Sequence, residues 1–321
     1  MILTIIFMII GFLLLVLGAD LLVRGSSNIA QRFHIPEMLI GLTIVAVGTS
    51  MPELMITISS AQKGSTDLIL GNAIGSNIFN LLLILGITAT LRPVVIDKDT
   101  KRVHLPVALL SSLVILFVGF RVFKDSNTAI TSKEGMILVI LYGIYFLYPI
   151  LIELKDIIVS MRNEKKKHTK PQISILLSFI YIIIGVVLLK YGGDLVVDEA
   201  TEIANIYGIS ERIIGLTVVA IGTALPELIT SIIATIKAEQ DLAVGNLLGS
   251  CIINSFLILG TGAMITPLPF SIENVYDLVI LSDVIGLIML FNFIGKKNTI
   301  TRYKAGMLLV LYVFYMMYIL K

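Results

Sequence analysis

Two nearly identical segments, 174 residues apart, constrain the fold more than any other feature of this chain. Residues 41–54 read GLTIVAVGTSMPEL and residues 215–228 read GLTVVAIGTALPEL, with ten of fourteen positions identical. Each copy places a glutamate, Glu53 or Glu227, directly after a proline within an apolar stretch. The repeated segment predicts an internal duplication, in which each half carries one of the two glutamates.

The composition is typical of a membrane protein. Hydrophobic residues make up 57% of the chain and charged residues only 14%, whereas soluble domains carry about 25% charge. A bilayer-spanning helix needs roughly 20 mostly apolar residues. Ten stretches meet this requirement: 1–23, 37–60, 66–91, 104–122, 133–154, 173–197, 211–236, 241–265, 276–295 and 302–320. The sequence therefore predicts an all-α polytopic membrane protein with ten transmembrane helices, of which the first is a span and not a cleaved signal peptide.

The two predicted halves, residues 1–154 and 173–321, each hold five spans. Five is an odd number, so two similar halves in series enter the membrane in opposite directions. Substrate sites of such inverted repeats lie near the middle of the membrane. Residues 155–172 form a basic linker between the halves, and the prolines at 52 and 226 predict that helices 2 and 7 are broken.

The distribution of basic residues predicts the orientation. Seventeen of the 24 Lys and Arg residues fall on the side of the linker, which the positive-inside rule makes cytoplasmic. Both termini are then extracellular, and the expected location is the plasma or inner membrane. The single cysteine, Cys251, excludes an intrachain disulfide framework.

The signature segments contain the ligands that hard cations take. Pro52 has no N–H group, so it cannot bond the carbonyl oxygen of Gly48, one turn before Glu53. Carbonyl oxygens together with a carboxylate suit calcium or sodium, and a carboxylate at membrane depth is a functional-site hypothesis by default. The second copy repeats the arrangement: Pro226, Gly222, Thr223 and Glu227. A proline kink with a protonated glutamate packed in the core is the alternative interpretation.

The third span of each half carries a second motif. Residues 71–80 read GNAIGSNIFN and residues 245–254 read GNLLGSCIIN. Polar residues four apart stack on one helix face: Asn72, Ser76 and Asn80, repeated as Asn246, Ser250 and Asn254. We predict cation or water ligation for the two serines and for Asn80 and Asn254. For the other two asparagines, ligation and helix-to-helix hydrogen bonding stay open, and the motif glycines favour close helix packing.

Taken together, these motifs resemble the paired alpha-repeats of the cation/calcium exchanger superfamily. The closest resemblance is to its prokaryotic, potassium-independent sodium/calcium exchangers, and it extends over essentially the whole chain. It implies ten spans as two inverted five-helix repeats. It also implies a secondary antiporter that exchanges three sodium ions for one calcium ion by alternating access.

The resemblance further implies a set of ligands. For calcium these are Glu53, Glu227 and the carbonyls of Thr49 and Thr223. For one sodium ion they are the Ala46 carbonyl, Ser50, Ser76 and Glu53; for another, the Ala220 carbonyl, Ser250 and Glu227. Asn80 and Asn254 belong to a central site or bind water there.

Two positions depart from the pattern of this family. Ala224 stands where the second motif often has serine, so the sodium site at Glu227 lacks one hydroxyl. Asn254 stands where several relatives, including the potassium-dependent branch, carry aspartate. The predicted site therefore holds two negative charges, which calcium neutralises, and no third carboxylate for potassium.

Other function classes fit less well. Proton/calcium or other divalent-cation antiport stays open, because carboxylates also carry protons, and a cation channel is a further, weaker alternative. The sequence contains no nucleophile arrangement, phosphate loop or nucleic-acid patch, so we expect no enzyme activity, no cofactor, no nucleic-acid partner and no obligatory protein partner. Seven other titratable residues are predicted to be interface anchors or solvated loop residues: Asp20, Arg24, Lys190 and Asp194 as anchors, and His34, His104 and His168 in loops.

Overall fold

The structure is a computed structural model that describes residues 2–33, 35–124, 129–162, 173–207, 220–294 and 298–319. These residues are predominantly helical, as the hydropathy of the chain predicts. The described helices are α1 (Ile2–Phe33), α2 (Glu37–Thr49), α3 (Met51–Lys63), α4 (Thr66–Leu91), α5 (Leu105–Lys124), α6 (Ser132–Arg162), α7 (Ile175–Ile206), α8 (Ala220–Thr223), α9 (Leu225–Ile236), α10 (Gln240–Ile265), α11 (Ile272–Leu290) and α12 (Arg302–Ile319).

Wider, π-helical turns occur within several of these helices. They lie at Gly41–Val45 in α2, Phe79–Ile84 in α4 and Ile253–Ile258 in α10, and a further one, Thr100–His104, leads into α5. The turns in α4 and α10 are 174 residues apart, so they occupy equivalent positions of the two sequence halves. Such turns are frequent at functional sites, because they shift the direction of the side chains around them.

Six of the described helices are long and apolar enough to cross a membrane, or seven if the bent pair α2 and α3 counts as one span. The six are Leu3–Phe33, Thr66–Leu91, Thr100–Gly119, Ser132–Leu151, Ile175–Glu199 and Gln240–Ile265. α11 and α12 lie where spans nine and ten are predicted, but α11 contains three carboxylates. The predicted seventh span begins in a part of the chain outside the described residues. The count of ten therefore stays a prediction.

Several helices extend beyond the apolar stretches that predict them. α1 continues to Phe33, ten residues past the predicted end, and at 1.5 Å per residue its 32 residues span about 48 Å. Asp20 and Arg24 form an ion pair of 2.8 Å at i and i+4, which supports a helix on its polar portion. α6 likewise continues to Arg162 through the first part of the predicted linker, and residues 163–172 of the linker lie outside the described part.

The chain divides into two compact units that do not coincide with its two sequence halves. One, here called the first unit, comprises Met1–Met51 and Gly143–Gly249. The other, the second unit, comprises Pro52–Tyr142 and Ser250–Lys321. Each unit thus combines segments from both halves, and the two sequence halves stay a prediction about the duplication.

In the first unit, α1 and α7 pack closely and run antiparallel. A Cβ atom at Gly11 would lie 3.0 Å from the carbonyl oxygen of Gly192, and one at Gly18 would lie 2.8 Å from that of Gly185. Gly11 and Gly185 are equivalent in the two halves, as are Gly18 and Gly192. Replacing each glycine of one contact by its equivalent in the other half therefore gives the second contact. Two equivalent helices that run antiparallel are what inverted halves predict. Apolar side chains, among them Leu15, Leu22 and Leu189, complete this core.

In the second unit, too, a contact between two segments recurs between the equivalent segments of the other halves. Four short strands among its described residues form two antiparallel ribbons, which the all-α prediction did not include: Val94–Val95 with Thr299–Ile300, and Ala129–Ile130 with Leu268–Pro269. In each ribbon one strand comes from each half. Gly86 of α4 packs against Leu309 of α12, and the equivalent positions, Gly260 and Gly135, bring α10 against α6.

His104 and Asp20 are two of the polar residues that the sequence placed in loops or at span ends. His104 is buried, with 5% of its surface exposed, so its prediction as a solvated loop residue is wrong. The π-helical turn that it ends carries it into the packed part of the unit. Asp20 lies within α1 and pairs with Lys237, just after α9, at 2.6 Å, and its role as an interface anchor stays a prediction. His34 and His168 lie outside the described residues.

Candidate cation site

Both signature segments break their helices at the same place and in the same conformation. Ser50 separates α2 from α3, with backbone angles of −85° and 7°. Ala224 separates α8 from α9, with −87° and 2°. The two helices on either side of Ser50 meet at 44°. Because each break lies two residues before the proline, which cannot continue the hydrogen-bond ladder, the prediction of broken helices at these two segments agrees with the observed backbone.

The two glutamates lie on the first turns of the helices that follow the breaks. Glu53 belongs to the first turn of α3 and Glu227 to that of α9, and each has only 1% of its surface exposed. The N-terminus of a helix carries a partial positive charge, which favours a carboxylate there. This position offsets part of the cost of burying each charge, and it leaves the carboxylate oxygens able to attract a cation.

In the first unit, hydroxyl and amide groups join the first break to α9 and α10. The Ser50 hydroxyl donates to the Glu227 carboxylate at 3.0 Å. The Thr49 hydroxyl donates to the Asn246 side-chain oxygen at 3.0 Å, and the Asn246 amide donates to Ser231 at 3.3 Å. Asn246 therefore serves as a hydrogen-bonding bridge between helices, which was one of the two possibilities that the sequence left open.

The carbonyl oxygen of Ala46, a predicted sodium ligand, has protein donors nearby. It accepts the backbone N–H of Ser50 at 3.0 Å and lies 3.4 Å from the Thr49 hydroxyl. The Thr49 hydroxyl has one proton and bonds Asn246 at a shorter distance, so its contact with the Ala46 oxygen is the weaker of the two. The equivalent residue, Ala220, begins α8, and Thr223 ends that helix.

In the second unit, several buried oxygen atoms have no hydrogen-bond partner among the described residues. Four of them lie in or near the signature motifs: the hydroxyl oxygens of Thr57 and Ser76 and the amide oxygens of Asn80 and Asn254. The great majority of buried polar atoms in proteins have a hydrogen-bond partner. An atom without one commonly marks a bound ion or water. Three of these four residues are ligands that the sequence predicts. The second unit contains one more predicted ligand with a hydroxyl group, Ser250, and this residue is fully buried.

Sequence reasoning missed three groups of residues around the predicted ligands. Thr57 lies one turn after Glu53, and Ser231 occupies the equivalent position after Glu227. Thr230, beside Ser231, has a buried hydroxyl without a partner among the described residues. Asn77 lies inside the second motif and bonds Asn254. The spacing of four residues from the glutamates was a usable signal for Thr57 and Ser231, because it places them on the same helix face.

Within the described part of the chain, no three His, Cys, Asp or Glu side chains come together as a metal-binding group. The predicted ligands include two carboxylates, Glu53 and Glu227, so neutral carbonyl, hydroxyl and amide oxygens would complete the shell of a cation held by them. That set suits calcium and sodium, which take oxygen ligands, and does not suit zinc or copper, which favour imidazole and thiolate.

Comparison with known proteins decides the family. The model of a family described as sodium/calcium exchanger protein matches residues 3–151 and 177–321. The chain belongs to the sodium/calcium exchanger family. The two matched segments cover nearly all of both sequence halves and exclude the whole of the predicted linker, so the resemblance of the two motifs to this family is confirmed.

Individual known proteins match along most or nearly all of the chain. Sodium/calcium exchanger MaX1 of Methanosarcina acetivorans is 29% identical over 350 residues, covering 95% of each chain. Inner membrane protein YrbG of Escherichia coli is 35% identical over 288 residues, covering 87% of this chain and 86% of YrbG. The solved structure of the sodium-calcium exchanger NCX_Mj has a TM-score of 0.82 at 30% identity and covers 99% of both chains.

Membership of the exchanger family establishes the broad function. The chain is a multi-pass membrane protein and a cation/calcium exchange antiporter, and sodium and calcium are the ions that its family exchanges. It is a transporter and not an enzyme. The coupling ratio, the charge moved in each cycle and the residues that bind each ion are separate questions.

Proposed function

We propose that this exchanger moves calcium against sodium by alternating access, with three sodium ions for each calcium ion, and without potassium. The observation that carries this proposal is the pair of buried glutamates, Glu53 and Glu227, each on the first turn after a helix break. Two carboxylates neutralise one calcium ion. Three sodium ions at the same groups leave about one net positive charge, so the cycle moves charge, worth roughly 2.3 kcal/mol per 100 mV.

The proposed calcium ligands are the two glutamates and the carbonyls of Thr49 and Thr223. One sodium ion is assigned to Glu53 with the Ala46 carbonyl, Ser50 and Ser76, and another to Glu227 with the Ala220 carbonyl and Ser250. Asn80 and Asn254 serve a central cation or water. The unpartnered oxygens of Ser76, Asn80 and Asn254 support these assignments, because a bound cation would satisfy them.

The Ser50 hydroxyl belongs to the first sequence half but contacts Glu227, which belongs to the second half. Its oxygen lies 3.0 Å from a carboxylate oxygen of Glu227. Calcium binds oxygen at about 2.3–2.6 Å, so an ion of similar size can contact both atoms at this separation. We therefore assign Ser50 to the sodium ions at either glutamate.

The proposed topology follows the sequence. The chain would cross the membrane ten times as two inverted repeats, with both termini extracellular and the basic linker, residues 155–172, cytoplasmic. The antiparallel packing of the equivalent helices α1 and α7 supports the inversion. Labelling of single cysteines introduced at residue 2 and in the linker, in a Cys251→Ala background, tests this orientation with a membrane-impermeant reagent.

Calcium uptake into proteoliposomes tests the exchange. Vesicles loaded with sodium are compared with vesicles loaded with potassium or choline and with vesicles carrying only a pH gradient. We expect uptake only with sodium inside, a change of flux when a membrane potential is imposed, and no change when choline replaces potassium at a clamped potential. Uptake driven by a pH gradient alone would establish the proton/calcium alternative, and flux without any counter-ion would indicate a channel.

A further inference from the structure

Asn77 links α4 to α10 in the second unit through three hydrogen bonds. Its amide nitrogen donates to the carbonyl oxygen of Cys251 at 3.1 Å and to the hydroxyl of Ser255 at 2.9 Å. Its amide oxygen accepts from the amide nitrogen of Asn254 at 3.1 Å. The side chain is buried, with 2% of its surface exposed.

These partners fix the orientation of the Asn77 amide. The carbonyl of Cys251 can only accept a hydrogen bond, so the atom of Asn77 that faces it must be the nitrogen. Turning the amide over would place two acceptor oxygens about 3 Å apart in a buried site and would remove the hydrogen bond to the Cys251 carbonyl, at a cost of about 1–3 kcal/mol. The oxygen of Asn77 therefore faces Asn254.

The fixed oxygen of Asn77 in turn orients Asn254. An acceptor requires a donor, so Asn254 presents its nitrogen to Asn77 and its oxygen to the opposite side. That oxygen is buried and has no hydrogen-bond partner among the described residues, and the residue as a whole is only 1% exposed. A buried amide oxygen held in this way is available to a cation.

The corresponding residue in the other half cannot do the same. Asn77 is equivalent to Cys251, and the two face each other, since the Cys251 thiol lies 3.9 Å from the carbonyl oxygen of Asn77. A thiol has no amide oxygen with which to orient Asn80, the equivalent of Asn254. The duplication therefore keeps both central asparagines but provides this orienting contact for one of them.

From these contacts we infer that Asn77 is a positioning residue, which turns the side-chain oxygen of Asn254 toward the transported cation. The inference rests on the proposed function, in which Asn254 serves the central site. It also explains why asparagine and not aspartate suits position 254 in this chain. An aspartate there would place a carboxylate, which only accepts, against the accepting oxygen of Asn77.

The test measures cation binding by the purified protein in detergent, as the rise in unfolding temperature when sodium or calcium is titrated in choline buffer. In Asn77→Ala the amide of Asn254 can rotate, so we expect the half-saturating concentration of at least one of the two cations to rise about tenfold. Ser255→Ala removes one of the two contacts that fix Asn77 and should raise it less. Cys251→Ala, which keeps the backbone carbonyl, is the matched control and should leave it unchanged.

A double-mutant comparison separates positioning from a structural role. If Asn77 acts through Asn254, adding Asn77→Ala to Asn254→Ala should not weaken cation binding further. Additive losses, or a lower unfolding temperature without cation together with unchanged half-saturation, would overturn the inference. Because each cation is titrated separately, a wild type that binds calcium but shows no sodium-driven uptake would refute the proposed function alone.

Discussion

The two helix breaks have nearly the same backbone conformation, but only the first carries a hydroxyl group. Ser50 and Ala224 have nearly the same backbone angles and precede equivalent glutamates by three residues. At the first break a hydroxyl reaches Glu227 at 3.0 Å. At the second break the methyl group of Ala224 can make no such contact with Glu53.

The backbone and the polar contacts of a duplicated site therefore diverge separately. The break depends on the proline, and both halves keep it. The hydroxyl depends on one side chain, which has little effect on the break, so the second half could lose it without losing the fold. We therefore expect the two glutamates to contribute alike to calcium transport and unequally to sodium binding.

Substitution of either glutamate tests whether the two breaks contribute equally to calcium transport, and it should have the largest effect. Glu53→Gln and Glu227→Gln should each reduce calcium uptake by about two orders of magnitude, because each removes half of the charge that offsets the calcium ion. Uptake into sodium-loaded proteoliposomes measures this, with gel filtration to show that the variant folds. Uptake at the wild-type rate in either variant would remove that glutamate from the site.

The next effect concerns the packing behind the first break. A Cβ atom at Gly245 of α10 would overlap the carbonyl oxygen of Met38 in α2. Gly245→Ala should therefore lower the free energy of unfolding by about 1–3 kcal/mol, seen as a lower unfolding temperature in detergent. Gly286→Ala in α11 is the control, since a Cβ there meets no described atom within 4 Å. Equal stability of the two variants would contradict the close contact of α2 with α10.

A smaller effect tests the hydroxyl that distinguishes the breaks. Ser50→Ala removes the group that contacts Glu227, so the sodium concentration for half-maximal calcium uptake should rise roughly tenfold. Ser111→Ala is a suitable control, because this buried hydroxyl donates to the Ala108 carbonyl of its own helix at 2.8 Å. If both variants behave as the wild type does, Ser50 does not take part in sodium binding.

The smallest effect is expected where a hydroxyl is added. Ala224→Ser places a serine in backbone angles that Ser50 already adopts, so the sodium half-saturation should fall by about two- to threefold. The double variant Ser50→Ala with Ala224→Ser exchanges the two breaks and should return the sodium dependence toward that of the wild type. A raised half-saturation in Ala224→Ser would mean that a hydroxyl at the second break does not reach sodium.

The features that the sequence predicted well are those that repeat. The two broken helices and the helix-terminal glutamates follow from a proline and a carboxylate that occur in both copies, and local chemistry is enough to infer them. Ser76, Asn80 and Asn254 were predicted in the same way, because a polar residue in a repeated apolar motif is unusual, and their role as ligands stays a prediction. The family followed from the order and spacing of these motifs.

The features that the sequence did not predict depend on partners far along the chain. Asn77 was missed because its equivalent is Cys251, so no repeated polar residue marked the position. The length of α1 was underestimated, since the charge on Asp20 suggested a helix end, whereas Lys237 pairs with it across 217 residues of sequence. The contact of Ser50 with Glu227 likewise depends on tertiary packing, which spacing alone cannot give.

The exchanged glycines of α1 and α7 constrain how this chain can change over generations. Gly11 meets Gly192 and Gly18 meets Gly185, and the numbers in each pair add to 203. In an ancestor whose halves were identical, one glycine would have filled two places in this interface, so every mutation would have counted twice. Now that the halves differ, a larger side chain on α1 needs a compensating change on α7. Natural variation at position i of α1 should therefore follow variation at position 203 − i of α7.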